Sequence, residues 1–173
     1  MSARIPTMTD KPKPQGPHVV EGEISARGRR VAIAAARFND FIVSSLLEGA
    51  VAAWSAQDGA PDDLLIARVP GAFELPVVAR KLAVSGRFDA VVALGAVIRG
   101  DTPHFEYVSG ECARGLTLAS LETGVPVIFG VLTVNTTEQA LERAAVTGMN
   151  KGGEALTTAL EMASLFQRLQ QRV

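Results

Sequence analysis

Residues 90–98 read AVVALGAVI, an unbroken run of apolar and small residues with the length of a β-strand. A strand that is apolar on both faces is buried on both faces, which is typical of a parallel sheet between two layers of helices. The run therefore predicts an α/β domain built around a buried parallel strand.

Similar runs, each followed by a segment with helical periodicity, lie on both sides of this strand. The predicted strands cover 31–38, 64–69, 90–98 and 125–133, and the predicted helices cover 43–54, 75–84, 105–119, 136–145 and 154–169. Thr136 and Gln139 have the spacing of a capping box, which marks the start of the fourth helix. Four β-then-α units in series predict right-handed crossovers and helices on both faces. We expect a three-layer αβα sandwich with a four-stranded parallel sheet of flavodoxin-like topology.

Length and composition limit the classes of protein. The chain has 173 residues, the size of one domain with a sizeable core. Lys and Arg number 17 and Asp and Glu number 18, so charge gives no case for nucleic acid or a membrane surface. Cys112 is the only cysteine, which excludes an intrachain disulfide and a cysteine-based metal cluster. We expect Cys112 to be a small buried hydrophobe.

The first 17 residues differ in composition from the rest. They hold four of the nine prolines and almost no apolar residues, so we expect a flexible tail before a domain at 18–173. We see neither a signal peptide nor an apolar run near the roughly 20 residues that span a bilayer, which predicts a cytoplasmic protein. An apolar fraction of 47% with only 20% charged residues indicates that other subunits cover part of the surface.

Ligands of parallel α/β sheets bind beyond the carboxyl ends of the strands. After the central strand, Gly100 and the Thr102-Pro103 pair predict a helix start with Thr102 as the N-cap. Free backbone N–H groups at such a start form an anion site, so Asp101 should point to solvent. His104 can take up and return a proton there near pH 7, and a surface histidine without function is the alternative.

Other residues at the strand ends have two interpretations each. Phe38 and Phe73 follow strands directly and can either stack on a flat heterocycle or pack in the core. Glu74 can accept hydrogen bonds from a ligand or serve as an acid in a helix's first turn. Arg143 and Lys151 flank a glycine-containing turn, and by themselves they are best interpreted as solvated charges.

Taken together, these stretches resemble the lumazine synthase family. The matching segments are RFN at 37–39, VPGAFELP at 69–76, LGAVIRGDTPHFEYV at 94–108, FGVLT at 129–133, EQALER at 138–143 and NKG at 150–152. They run from about residue 29 to the C-terminus, and only the N-terminal segment is unmatched.

The resemblance implies a transferase of riboflavin biosynthesis. Its reaction condenses 5-amino-6-(D-ribitylamino)uracil with 3,4-dihydroxy-2-butanone 4-phosphate to 6,7-dimethyl-8-ribityllumazine, with release of phosphate and water. It implies two small-molecule substrates, no metal and no organic cofactor.

The resemblance also implies roles for site residues. His104 is the proton-transfer residue, and Phe38 stacks on the pyrimidine ring. Ala72, Phe73 and Glu74 hold the ribityl chain and the ring edge. The pyrimidine pocket is lined by Ala96, Val97 and Ile98. Asp101 and Thr102 bind the phosphate, and Lys151 lies near the ribityl chain and the phosphate. Phe129 and Arg143 come from a neighbouring subunit, with Arg143 as the counter-charge of the phosphate.

The implied assembly is a pentamer, and in many family members twelve pentamers form a hollow icosahedral 60-mer. The compact turn at 147–150 favours this shell, although Met149 replaces the small residue common there. One alternative is a non-catalytic flavin-binding or shell protein on the same fold, against which His104 and Arg143 together argue. Another is a phosphosugar lyase in which Lys151 forms a Schiff base.

Overall fold

A computed structural model gives the fold of residues 17–172. The strands are β1 (Val31–Ala36), β2 (Leu64–Val69), β3 (Ala90–Ile98) and β4 (Val127–Val134), and the helices are α1 (Asp40–Ala56), α2 (Leu75–Ala83), α3 (His104–Thr123), α4 (Thr137–Ala144) and α5 (Lys151–Gln170). All strand pairs are parallel, in the order β2-β1-β3-β4. The predicted tail lies almost entirely outside the described residues, so its boundary stays a prediction.

Helices cover both faces of the sheet, which confirms the predicted three-layer fold. α1, α4 and α5 pack together on one face, and α2 and α3 pack together on the other. Every residue of β1 is buried, and so are residues 90–96 of β3. β2 and β4 form the edges, where Ile66 and Phe129 are exposed. None of the helices within 17–172 has both the length and the apolarity needed to cross a membrane.

The backbones of α1 and α5 come into close contact near the start of α5. A Cβ placed on Gly152 would lie 1.8 Å from the carbonyl oxygen of Leu46, closer than any real contact allows. Asn150, with a φ of 45°, caps α5 beside this point, and its Oδ1 accepts a hydrogen bond from the N–H of Gly153 at 3.1 Å. This cap begins α5 at Lys151, earlier than predicted.

The capping box at the start of α4 is confirmed, with one difference. The hydroxyl oxygen of Thr136 accepts a hydrogen bond from the N–H of Gln139 at 3.2 Å. The Gln139 side chain accepts from the N–H of Asn135 at 2.9 Å, one residue before the N-cap itself. The start of α4 is therefore fixed from both directions.

The prediction for Cys112 is also confirmed. The side chain is buried in α3, and this burial raises the pKa of the thiol to about 11. A thiol with so high a pKa is not a nucleophile near neutral pH, so Cys112 contributes packing alone.

The contact between α1 and α5 generates a stability prediction. Gly152→Ala should lower the free energy of unfolding by about 1–3 kcal/mol, because the added methyl group meets backbone that cannot move aside without separating the helices. Gly110→Ala is the matched control, since nothing lies within 4 Å of its added Cβ. That change should gain about 0.5–1 kcal/mol from helix propensity. Denaturant unfolding measures both, and a Gly152→Ala protein as stable as the wild type would contradict the close contact.

Candidate active site

A cavity of about 660 Å3 opens at the carboxyl ends of β1, β2 and β3. The segments that follow these strands form its walls, together with the first two turns of α3. This is the edge at which parallel α/β sheets bind ligands, and the volume suits a small molecule.

Two aromatic rings line this cavity and are open to solvent. Phe38 follows β1 and is 71% exposed, and Phe73 follows β2 and is 58% exposed. The alternative that these rings pack in the core is therefore wrong. Ala72 and Glu74 share a short 3-10 turn with Phe73, and both line the cavity.

The end of β3 supplies the apolar part of the wall. Ala96 is buried, and Val97 and Ile98 are half-buried where they face the cavity. This end is tied to the β1–α1 turn by Asn39, whose Nδ2 donates to the carbonyl oxygen of Ala96 at 2.9 Å. Asn39 adopts a φ of 58°, a left-handed conformation that asparagine tolerates better than most residues. Sequence reasoning did not assign it this role.

The turn between β3 and α3 differs from the prediction. The helix begins at His104, and Pro103 occupies the N-cap position with no side-chain cap. Thr102 is therefore not the N-cap, because the helix starts one residue later and leaves the threonine in the preceding turn. Thr102 and His104 are exposed and line the cavity, and Asp101 is exposed as expected.

The first turns of α3 add residues that sequence reasoning did not place in the site. Tyr107 and Val108 line the cavity beside His104, and so does Phe105. The spacing from His104 to Tyr107 and Val108 is i, i+3 and i+4, which puts all three on one side of a helix. That spacing was the signal by which they could have been found.

The other predicted site residues do not line this cavity. Phe129 is 44% exposed on edge strand β4. The Arg143 side chain on α4 donates to the carbonyl oxygen of Gln139 at 3.1 Å. Lys151 begins α5 and forms an ion pair with Glu154 at 2.5 Å. Within residues 17–172, no group of three His, Cys, Asp or Glu side chains could hold a metal ion.

Comparison with known proteins identifies the family. The sequence model of the 6,7-dimethyl-8-ribityllumazine synthase family matches residues 28–167. The chain belongs to this family. A 6,7-dimethyl-8-ribityllumazine synthase of Syntrophus aciditrophicus (strain SB) is 56% identical over 153 residues, which cover 88% of this chain and 99% of the relative. As a member of the lumazine synthase family, the chain is a transferase enzyme of riboflavin biosynthesis.

The bond from Asn39 to Ala96 generates a second prediction. Asn39→Ala should cost about 1–3 kcal/mol of stability, because it removes a part-buried hydrogen bond and forces alanine into a left-handed conformation. Asn39→Gly also lacks the bond but tolerates the conformation, so it should recover about 1 kcal/mol of that loss. Equal unfolding midpoints for the alanine and glycine variants would show that Asn39 is not strained as described.

Proposed function

We propose that this chain condenses 5-amino-6-(D-ribitylamino)uracil with 3,4-dihydroxy-2-butanone 4-phosphate to 6,7-dimethyl-8-ribityllumazine, releasing phosphate and water. The observation that carries the proposal is the meeting of two exposed phenylalanine rings and His104 at one cavity, in a chain of the lumazine synthase family. The reaction as proposed needs neither a metal nor an organic cofactor.

We assign the ribitylaminouracil to the part of the cavity between the β1 and β2 loops. Phe38 offers the face of its ring for stacking on the flat pyrimidine. Val97 and Ile98 provide a half-buried apolar surface beneath it. Glu74, half-buried at the wall, can accept hydrogen bonds from the ribityl hydroxyls or from ring N–H groups. Ala72 and Phe73 cover the remaining carbon chain.

We assign the phosphate to the turn that precedes α3. The first N–H groups of a helix have no intrahelical partners and carry partial positive charge, so they favour an anion. Thr102 adds a hydroxyl, and Asp101 contributes backbone while its carboxylate stays in solvent. Arg143 from a neighbouring subunit supplies the counter-charge.

The proposed chemistry needs positioned partners and one proton carrier. The substrate amine attacks the ketone, water leaves and an imine forms. Phosphate leaves as a proton is removed from carbon, and the ribitylamino nitrogen then closes the ring with loss of a second water. His104, exposed in the cavity, accepts and returns these protons. Holding both substrates together supplies much of the remaining acceleration.

We propose that the working unit is a homo-oligomer, a pentamer that assembles into the 60-mer shell in the cytoplasm. A single subunit exposes large apolar side chains on α3, among them Tyr107, Leu118 and Leu121. Exposed apolar surface of this kind is typical of a protein–protein interface. Phe129 and Arg143 do not line the cavity of their own chain, which is consistent with a contribution to a neighbour's site. The segment between α4 and α5 is short, which is the feature that favours the 60-mer shell.

The phosphosugar lyase alternative has less support. Its Schiff-base amine would be the Nζ of Lys151, which forms an ion pair with Glu154 at 2.5 Å and does not line the cavity. An amine held in this ion pair at the start of α5 is not placed to attack a substrate carbonyl in the cavity.

Two substitutions separate the proposed roles. His104→Ala should lower kcat about 100-fold or more with KM nearly unchanged, because it removes the proton carrier and leaves binding intact. Arg143→Ala should instead raise KM for the butanone phosphate about tenfold or more, because it removes a phosphate counter-charge. Both constants are measured by mixing the enzyme with the two substrates and monitoring the absorbance of the lumazine that forms.

Arg27→Ala is the control for lost positive charge, since Arg27 lies at the amino end of the sheet and pairs with Asp58. It should leave both constants unchanged. A wild-type protein that forms no product above the uncatalysed rate would refute the enzyme proposal, and tight riboflavin binding would then favour the non-catalytic alternative. Unchanged affinity in Arg143→Ala would refute the phosphate assignment.

A further inference from the structure

The side chain of Arg99, directly after β3, joins three parts of the molecule. Its Nε donates to the Oδ1 of Asn135 at 3.0 Å, just beyond the end of β4. Its guanidinium lies 4.1 Å from the ring centre of Phe105 and also pairs with the carboxylate of Glu106. Phe105 and Glu106 belong to the first turn of α3, in which His104 is the first residue.

The backbone of Arg99 is hydrogen-bonded to the neighbouring strand. Its own N–H donates to the carbonyl oxygen of Val134 at 2.9 Å, which continues the pairing of β3 with β4. Asn135 is fixed in turn, because its N–H donates to the side chain of Gln139 at 2.9 Å. Gln139 is held by the hydroxyl of Thr136 at 3.2 Å. The guanidinium therefore links the end of β4 to the first turn of α3.

The turn between Arg99 and α3 has few other supports. Residues 100–103 are all exposed, and the start of α3 has no side-chain cap. The N–H of Glu106 donates to the carbonyl oxygen of Pro103 at 3.1 Å, a bond within the same turn. α3 as a whole packs against α2 and β4, and Arg99 adds side-chain contacts that join the first turn of this helix to the end of the sheet.

We propose that Arg99 is a positioning residue that aims the imidazole of His104 into the cavity. Holding the ring of Phe105 and the carboxylate of Glu106 fixes the orientation of the helical turn that carries His104. This inference rests on the proposed function, because it assigns Arg99 a role in proton transfer through His104.

An exposed ion pair alone contributes little, but the planar guanidinium engages several partners at once. Its hydrogen bond to Glu106 lowers the pKa of that carboxyl below its usual range, so the carboxylate stays charged at neutral pH. The pairing would weaken only as the pH falls through that lowered value. With these partners engaged, the guanidinium is a brace within the chain and not a ligand for the substrate phosphate.

The kinetic test compares Arg99→Gln with Arg80→Gln. Arg80 pairs with Glu122 near the far end of α3 at 3.0 Å, so its loss removes the same kind of contact from the same helix. Arg99→Gln should lower kcat at least tenfold, because small misplacements of a catalytic group are costly, with KM for the uracil substrate within about twofold. The kcat of Arg99→Lys should lie between those of the wild type and Arg99→Gln, since lysine keeps the positive charge but lacks the planar guanidinium. Arg80→Gln should keep the wild-type kcat.

A double variant tests whether Arg99 acts through His104. If it does, Arg99→Gln should cost less than about threefold in the His104→Ala background, because the group that it positions is already missing. A full tenfold loss in that background would overturn the proposal. A raised KM for the butanone phosphate with unchanged kcat would also overturn it, since Arg99 would then bind phosphate directly.

Hydrogen exchange gives a readout that does not need activity. Peptides covering residues 106–110, whose N–H groups make the first hydrogen bonds of α3, should exchange faster in Arg99→Gln than in the wild type and remain unchanged in Arg80→Gln. Unchanged exchange at 106–110 in Arg99→Gln would overturn the positioning role. Faster exchange there in a protein whose wild type forms no lumazine would support the brace and refute the proposed function, so the two failures are distinguishable.

Discussion

Burial of β1 and β3 on both faces determines where polar side chains can lie in this fold. With α1, α4 and α5 on one side and α2 and α3 on the other, no polar group can be placed along these strands. Polar chemistry is therefore confined to the strand ends. Because the strands are parallel, their carboxyl ends meet at one edge, and Phe38, Phe73 and His104 meet there although they are far apart in sequence.

The cavity of a single chain is rich in aromatic and apolar surface but poor in positive charge. Arg99 does not line it, and its guanidinium is engaged with Asn135, Phe105 and Glu106. Arg143 lies on α4, outside the cavity wall. A phosphate-bearing substrate needs a counter-charge, which one chain does not supply at this site. The proposed pentamer resolves this shortage by bringing Arg143 and Phe129 from the next subunit.

The fold could be predicted from sequence because each strand and helix has a local signal. The apolar run at 90–98 and the pair Thr136 and Gln139 are readable within a few residues. The details that position the site depend on distant partners. Asn39 hydrogen-bonds to Ala96, and Arg99 hydrogen-bonds to Asn135. In each pair the two residues are far apart in sequence, so no short sequence pattern predicts the contact. The start of α3 was misplaced because Thr102-Pro103 favours a cap that the turn geometry does not form.

We propose that each active site is shared between two subunits, and subunit complementation can test this sharing. His104→Ala and Arg143→Ala chains would be co-expressed, and the mixed oligomers assayed at a low concentration of butanone phosphate, where each variant alone is nearly inactive. If neighbouring chains contribute the two residues, about a quarter of the sites in a random equal mixture are intact, and activity should return to about that fraction of the wild type. Mixed oligomers no more active than the separate variants would refute the shared site, because both residues would then serve the same chain's site.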